Sequence, residues 1–378
     1  MKILHTSDLH FGISLCGTPL LKYQWELCES LCAIVRDNSI DAVIISGDVF
    51  DTNVASAEAI KCWSSLATKL CLEMRVPVIV CAGNHDGAAR LSSCSDLLRA
   101  AGLHISGSLE DAFSPIQLGN CEIYSLPYYN PTDAAAKLGC ENSAAAVMAE
   151  ITKRILANAD KSKKLILSAH CFAAGGKAGE SDVSARTAES VGGADLVPCS
   201  AFAGFDYVAL GHLHRPQTLS ASGTIIRYSG TPMPYSFGEA AQNKTVSVFD
   251  TDSCTLTEID VPQPYKLRTI EGDYEEILSK AENDPAHGDF IKIKVTDKYA
   301  GSNMFSRLRE AYPNLLMFSG RQGSVSSGAG ITAAETAELD PAALAVKYSL
   351  DKRGHEPDED ELKWLTEAIA EIEKETSE

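Results

Sequence analysis

Short apolar runs rich in β-branched residues recur through the first two-thirds of the chain, and each breaks off into a polar turn. Residues 2–5 (KILH) run into Ser7-Asp8-Leu9-His10. Residues 41–46 (DAVIIS) run into Gly47-Asp48-Val49-Phe50-Asp51, and 76–82 (VPVIVCA) into Gly83-Asn84-His85-Asp86. Residues 165–169 (LILSA) end at His170, and 207–210 (YVAL) end at Gly211-His212-Leu213-His214. Runs this short and this apolar read as strands buried on both faces. Between them the pattern predicts helices near 22–37, 54–73, 90–101 and 142–159. Alternating strands and helices define an α/β layered domain. Over 222–261 the pattern changes to hairpin-like strands at 224–228, 245–250 and 255–261.

Pro262-Gln263-Pro264 marks a boundary, because neither a strand nor a helix continues through two prolines. Beyond it, residues 266–320 read as β-α-β-α-β, a small α+β domain with strands at 266–270, 290–295 and 315–318 and helices at 274–282 and 302–311. The Gly- and Ser-rich stretch 323–330 has linker composition. Two helices follow, at 340–348 and 358–374. Asp340 before Pro341 suits a helix start, and Leu362, Leu365, Ile369 and Ile372 recur at helical spacing in the second. The expected division is 1–262, 263–322 and 331–378.

Composition adds constraints. Apolar residues make up 45% of the 378 and charged residues 22%, as in chains that bury a core. No apolar run reaches the roughly 20 residues of a membrane-spanning helix, and the N-terminus turns polar too soon for a signal peptide, so we read a cytoplasmic protein. The twelve cysteines form no CxxC pair, which argues against a disulfide framework or a zinc site and for small buried hydrophobes. The net charge of −18 argues, taken alone, against a nucleic-acid surface, which is normally basic.

The chemically potent residues change that picture. Asp8 and His10, Asp48 and Asp51, Asn84, His85 and Asp86, His170, and His212 and His214 all follow the C-terminal end of an expected strand, the edge of an α/β sheet where ligands bind. Five of the nine histidines fall in these turns, far more than scatter would place there. Carboxylates with imidazoles form a borderline donor set suited to manganese, iron or zinc. Asp8, His10, Asp48, Asn84, His170, His212 and His214 are enough for two divalent ions, with Asp48 in the tight Gly-Asp turn as the bridging carboxylate. Gly47, Gly83 and Gly211 fit turns in which backbone approaches the site closely. His5 sits inside the first strand and reads as a packed histidine. No G-x-x-x-x-G-K-[ST] phosphate loop occurs, so any ATP dependence belongs to a partner.

The ordered set D-x-H, G-D-x-x-D, G-N-H-D, H, G-H-x-H resembles the signature of the calcineurin-like metallophosphoesterases. Residues 5–12 (HTSDLHFG), 209–215 (ALGHLHR) and 228–232 (YSGTP) are similar to the DNA-cleaving members of that family. The resemblance implies a sandwich of two central sheets flanked by helices, followed by a small α+β capping domain and C-terminal helices. It implies one ion on Asp8, His10, Asp48 and His214 and the other on Asp48, Asn84, His170 and His212, both manganese. His85 would stand at the scissile phosphate as proton donor or transition-state stabiliser, with Asp86 orienting it and Asp51 holding a ligand histidine. The implied activity is double-strand exonuclease and single-strand or hairpin endonuclease in DNA repair and recombination. A homodimer would work with an ATPase that carries a long coiled coil, on which 331–378 would dock. Hydrolysis of small phosphodiesters or phosphomonoesters is the alternative on the same motifs. A scaffold without activity would be expected to have lost ligands, and every ligand position is filled.

The distribution of charge then matters more than its total. Residues 331–378 hold 14 acids and 5 bases, half the net charge, while 263–330 hold 9 of each. In the remainder, Asp8 and Asp48 would be offset by the ions. Acidity therefore leaves DNA open as a substrate, held by the metal site and the ATPase partner instead of a basic surface.

Overall fold

The computed structural model describes residues 1–177, 196–297, 304–320, 346 and 361–362. The chain divides into two compact units, Met1–Arg268 and Thr269–Glu378. The first begins with β1 (Lys2–Thr6), a small hairpin β2 (Ser14–Leu15) and β3 (Thr18–Pro19), helix α1 (Leu21–Asp37) and β4 (Ala42–Ser46). Helix α2 (Ala57–Thr68), β5 (Val78–Cys81), short helices α3 (Ala88–Leu91) and α4 (Ser95–Arg99), and β6 (Leu103–Ser106) follow. Next come β7 (Ile116–Leu118), β8 (Cys121–Leu126), α5 (Pro131–Leu138), α6 (Ala144–Asn158), β9 (Lys164–His170) and β10 (Tyr207–Gly211). The strands β11 (Gln217–Ala221), β12 (Thr224–Tyr228), β13 (Thr245–Asp250) and β14 (Thr255–Asp260) complete it.

Two six-stranded mixed sheets form the centre, in the orders β14-β13-β1-β4-β5-β6 and β11-β12-β10-β9-β8-β7. Strands β1, β4, β5 and β6 run parallel in one, and β8, β9, β10 and β12 in the other. This is the layered α/β sandwich the alternation of elements predicts. Ile3, Ala42, Ile44 and Ile79 from the first sheet pack on Ile123, Ile166, Tyr207 and Ala209 from the second. Tyr207 stacks on Phe249 of β13 with ring centroids 4.5 Å apart, an aromatic pair between sheets that contributes about 1 kcal/mol beyond its buried area. Arg227 of β12 donates to Ser247 Oγ at 2.9 Å and pairs with Glu258 at 3.0 Å, tying the same sheets by charge.

Helix α1 buries Leu27, Cys28, Leu31, Cys32, Ile34 and Val35, the apolar stripe its spacing predicts. Helix α2 begins where Ser56 Oγ accepts from Ala59 N at 3.2 Å and ends sooner than expected, in a π-helical turn Lys69–Glu73. The helix expected over 90–101 is instead α3 and α4, separated at Cys94, whose φ of +61° breaks the helical path. All twelve cysteines are free thiols, most of them buried. No helix among the described residues is long and apolar enough to cross a membrane.

In the second unit, β15 (Leu267–Gly272), which starts at the junction, β16 (Phe290–Val295) and β17 (Leu315–Gly320) form a three-stranded sheet in that order. Helices Tyr274–Ala281 and Met304–Ala311 cover it, with Tyr274, Ile277, Ile291, Ile293, Leu308 and Tyr312 in the core. The linker at 323–330 and the helices expected at 340–348 and 358–374 lie outside the described residues, apart from Val346, Glu361 and Leu362, which are helical.

Candidate metal centre

The C-terminal ends of β1, β4 and β5 in one sheet and of β9 and β10 in the other deliver the motif turns to one place. The turn after β1 is locked to the turn after β4 by three backbone bonds: Asp8 N to Gly47 O at 3.0 Å, His10 N to Asp48 O at 3.0 Å and Phe11 N to Val49 O at 2.9 Å. Asp8, His10, Asp48 and His212 all take positive φ, at +53°, +44°, +49° and +102°. Non-glycine residues rarely adopt such values, at a cost of order 1–3 kcal/mol each, and they cluster where function requires it. Close approach explains the glycines: a Cβ on Gly83 would lie 2.1 Å from Asp48 Oδ1, and one on Gly211 would lie 1.8 Å from Ser46 O.

Asp8, His10, Asp48, His170 and His214 are buried, Asn84 and His212 half-buried, and His85 exposed. Ligand-capable atoms of Asp8, His10 and His214 lie within 4.8 Å of one another, and so do those of Asp8, Asp48 and His170. Asp48 Oδ2 lies 3.3 Å from His170 Nε2 and 3.8 Å from His10 Nε2, so it reaches both groups. Asn84 Oδ1 sits 2.9 Å from His170 Nε2 and 3.0 Å from His212 Nδ1. His170 donates from Nδ1 to Ser46 O at 2.8 Å, which leaves Nε2 for a ligand. All seven residues expected to hold ions thus meet in one pocket.

The residues present fit two divalent ions. Two buried carboxylates converge with four imidazoles, and among the described residues no lysine or arginine pairs with either carboxylate. Burial alone would raise the Asp48 carboxyl, but His170, His10 and His85 hold it well below the usual carboxylate range. His170 answers in kind: burial opposes its charge, yet Asp48 and Asp8 lift it to about 9. Burial, with His170 beside it, pushes His212 down to about 3. The centre therefore recruits positive charge onto a ligand imidazole, the electrostatic demand an ion would meet.

His85 N donates to Asp48 Oδ1 at 2.8 Å, and His85 Nδ1 bonds Asp51 O at 2.8 Å, so a backbone carbonyl orients the ring. The ring stands edge-on to His10 at 4.9 Å. Asp86 turns away from His85: its carboxylate accepts from Gly83 N, Phe50 N and Val49 N at 2.8, 2.9 and 3.2 Å and braces two ligand turns together. Asp51 Oδ1 lies 3.6 Å from His10 Nδ1, beside a ligand histidine. His5 is a core residue, with Nδ1 2.8 Å from Tyr207 OH and its imidazole pushed down to about 3 by burial.

Sequence reasoning passed over several supports. Gln24 on α1 is fully buried and donates to Leu9 O and His10 O at 3.1 and 2.8 Å while accepting from Gly12 N, clamping the whole 8–12 turn. Tyr235 OH donates to Leu9 O at 2.5 Å and its ring lies edge-on to His10 at 5.8 Å. Behind His214 lie Glu239 and Lys244, both buried. A polar residue on the inward stripe of a helix is a usable signal for Gln24; the Glu–Lys pair carries none without the fold.

A pocket of this donor set at the joined edges of two mixed sheets defines a dinuclear phosphoesterase. The chain belongs to the calcineurin-like phosphoesterases, whose family model matches residues 1–216. Residues 263–349 match the type 5 capsule protein repressor C-terminal domain. Within the family the chain is a homologue of SbcD, the phosphoesterase subunit of the nuclease SbcCD. It is 32% identical to that protein of Staphylococcus epidermidis over 324 residues, 84% of this chain and 85% of the relative. The counterpart of Staphylococcus saprophyticus is 29% identical over 322 residues, 84% of each. Among solved structures, TT1561 of Thermus thermophilus is similar over 69% of this chain and 99% of its own, at 13% identity and a TM-score of 0.42.

Proposed function

We propose that this chain is the nuclease subunit of an SbcCD-type ATP-dependent complex, cutting DNA as a double-strand exonuclease and as an endonuclease on single strands and hairpins. The observation that supports this reading most is the meeting of seven ligand side chains from five strand ends in one pocket, in a chain with an SbcD relative across most of both lengths. One ion would rest on Asp8, His10, Asp48 and His214, and the other on Asp48, Asn84, His170 and His212. Manganese suits this donor set. When bound, the ions supply neutralisation of the phosphate and activation of the attacking water. The chain's own residues set the rest: Asp48 spans both positions, His170 is aimed by Ser46 O, and His85 offers Nε2 to the leaving sugar oxygen. In this reading residues 263–322 wall the DNA groove, 331–378 dock on the coiled coil of an SbcC-type ATPase, and the complex works in the cytoplasm.

The test is cleavage by the purified chain with manganese, alone and with its ATPase partner, of a labelled hairpin DNA and separately of a chromogenic phosphodiester. Cleavage of the hairpin, strengthened by the partner and ATP, is expected. No DNA cleavage even with the partner would overturn the reading, and turnover of only the small ester would select the small-substrate alternative.

A homodimer through the first unit is part of the proposal. An apolar groove of about 560 Å³ runs between α2 and the 87–105 segment, lined by Trp63, Leu72, Leu91 and Leu98. Val54, Ile60, Leu72 and Leu97 beside it are 64, 50, 59 and 76% exposed, an apolar density that surfaces hide on assembly. Ile60→Glu with Leu97→Glu is expected to weaken self-association by at least about 100-fold and leave the fold intact. Light scattering behind size-exclusion chromatography checks this, and an unchanged dimer would place the interface elsewhere.

A further inference from the structure

The pair behind His214 is the most expensive feature of the molecule that the ligand set does not explain. Glu239 closes a 3₁₀ turn (Phe237–Glu239) and Lys244 precedes β13; their side chains are each 1% exposed. Removing two opposite charges from water costs several kcal/mol per ion, and apolar residues of like size commonly serve a core as well or better. Such a pair persists where its geometry is used.

That geometry centres on His214. Glu239 Oε1 faces His214 Nδ1 at 3.6 Å, while His214 Nε2, across the ring, faces the ligand cluster 3.3 Å from His10 Nε2. Lys244 Nζ pairs with Glu239 Oε2 and donates to Thr231 Oγ1 at 2.7 Å and to the His214 carbonyl at 3.4 Å. Thr231 N donates to the same carbonyl at 3.1 Å, and Thr231 Oγ1 to Glu239 Oε2 at 3.0 Å. Ser236 Oγ holds Glu239 Oε1 at 3.1 Å. One buried pair thus grips both the ring and the backbone of a single histidine.

We propose that Glu239, backed by Lys244, is a positioning residue for His214. It accepts from Nδ1–H, which fixes the tautomer so that the Nε2 lone pair faces the ion, and it sharpens that nitrogen as a donor. Lys244 keeps the carboxylate charged without leaving net charge in the core, and with Thr231 it pins the turn that carries His214. Carboxylate support of this kind is worth 10- to 100-fold in metal affinity. The inference rests on the two-ion reading of the site.

The test compares two double variants that remove both charges together, so that neither leaves an unpaired buried ion. Glu239→Leu/Lys244→Met removes the acceptor at Nδ1. Glu239→Gln/Lys244→Met keeps an amide oxygen there. Manganese titration by calorimetry is expected to show about 10- to 100-fold weaker binding of one ion in the leucine variant, the other ion unchanged, and recovery to within about fivefold of the parent in the glutamine variant. Thermal unfolding of the ion-free proteins reads the purely structural effect separately. If both variants bind both ions like the parent and only unfold sooner, or if both lose the ion equally, the positioning role is overturned.

A measurement on the unaltered chain stands even if a variant fails to fold. In the zinc-loaded protein with ¹⁵N-labelled histidine, His214 is expected to coordinate through Nε2 and keep its Nδ1 proton; coordination through Nδ1 overturns the proposal. A parent chain that binds no ion at all would instead sink the two-ion reading.

Discussion

Asp48→Ala is expected to strip at least one of the two ions and to lower cleavage by about 10³-fold or more. Among the carboxylates of the site, Asp48 faces both His170 and His10, at 3.3 and 3.8 Å through the same Oδ2. Its other oxygen accepts His85 N at 2.8 Å and lies under Gly83, where a Cβ would collide with it at 2.1 Å. The side chain is thus held at both oxygens before any ligand arrives, and deleting it removes a shared charge together with the anchor of the His85 turn. Metal content by elemental analysis and manganese titration check the first part, and hairpin cleavage the second. Two ions retained in the variant would move the bridging role to Asp8, which belongs to both ligand groups. The fold itself should survive, because Asp48 sits at a sheet edge and not in the apolar layer formed by Ile44, Ile79, Ile166 and Tyr207.

Much of this centre was legible in the sequence because strand ends and ligand turns are coupled locally. A buried parallel strand is a short β-branched run, and the segment after it must bend; acids, histidines and glycines at five such bends already specify the donor set. Some elements are invisible for the opposite reason. Strand β8 carries Glu122 inside a fully buried segment, and its carboxylate is satisfied by Tyr124 OH, Gln117 Nε2 and Asp160 N, which no periodicity reveals. The break at Cys94 rests on one residue's positive φ in a stretch whose composition favours helix. Asp86 follows His85 directly and so suggests a partner for it, yet the tight turn aims the carboxylate at three backbone N–H groups instead. Glu239 and Lys244 read as a solvated turn, and their burial follows only from the 229–231 segment folding beneath His214.

His85→Ala is expected to keep both ions and lose about 10²- to 10⁴-fold in turnover, with KM little changed. His85 is the exposed histidine of the site, whereas His10, His170 and His214 are buried. Its Nδ1 is engaged by the Asp51 carbonyl at 2.8 Å, so Nε2 is the nitrogen available to a substrate. Histidine is suited to delivering a proton near neutral pH, and a departing sugar oxygen needs one. A ring held by a backbone carbonyl keeps its aim when side chains around it exchange ligands. The competing role has geometry of its own: atoms of His10, Asp51 and His85 lie within 4.8 Å of one another and could hold an ion themselves. Elemental analysis separates the two. Loss of an ion from the alanine variant would make His85 a ligand and leave the leaving group without its donor. Full metal content with turnover gone places it at the substrate, where the exposure of its ring already sets it apart from the buried histidines of the pocket.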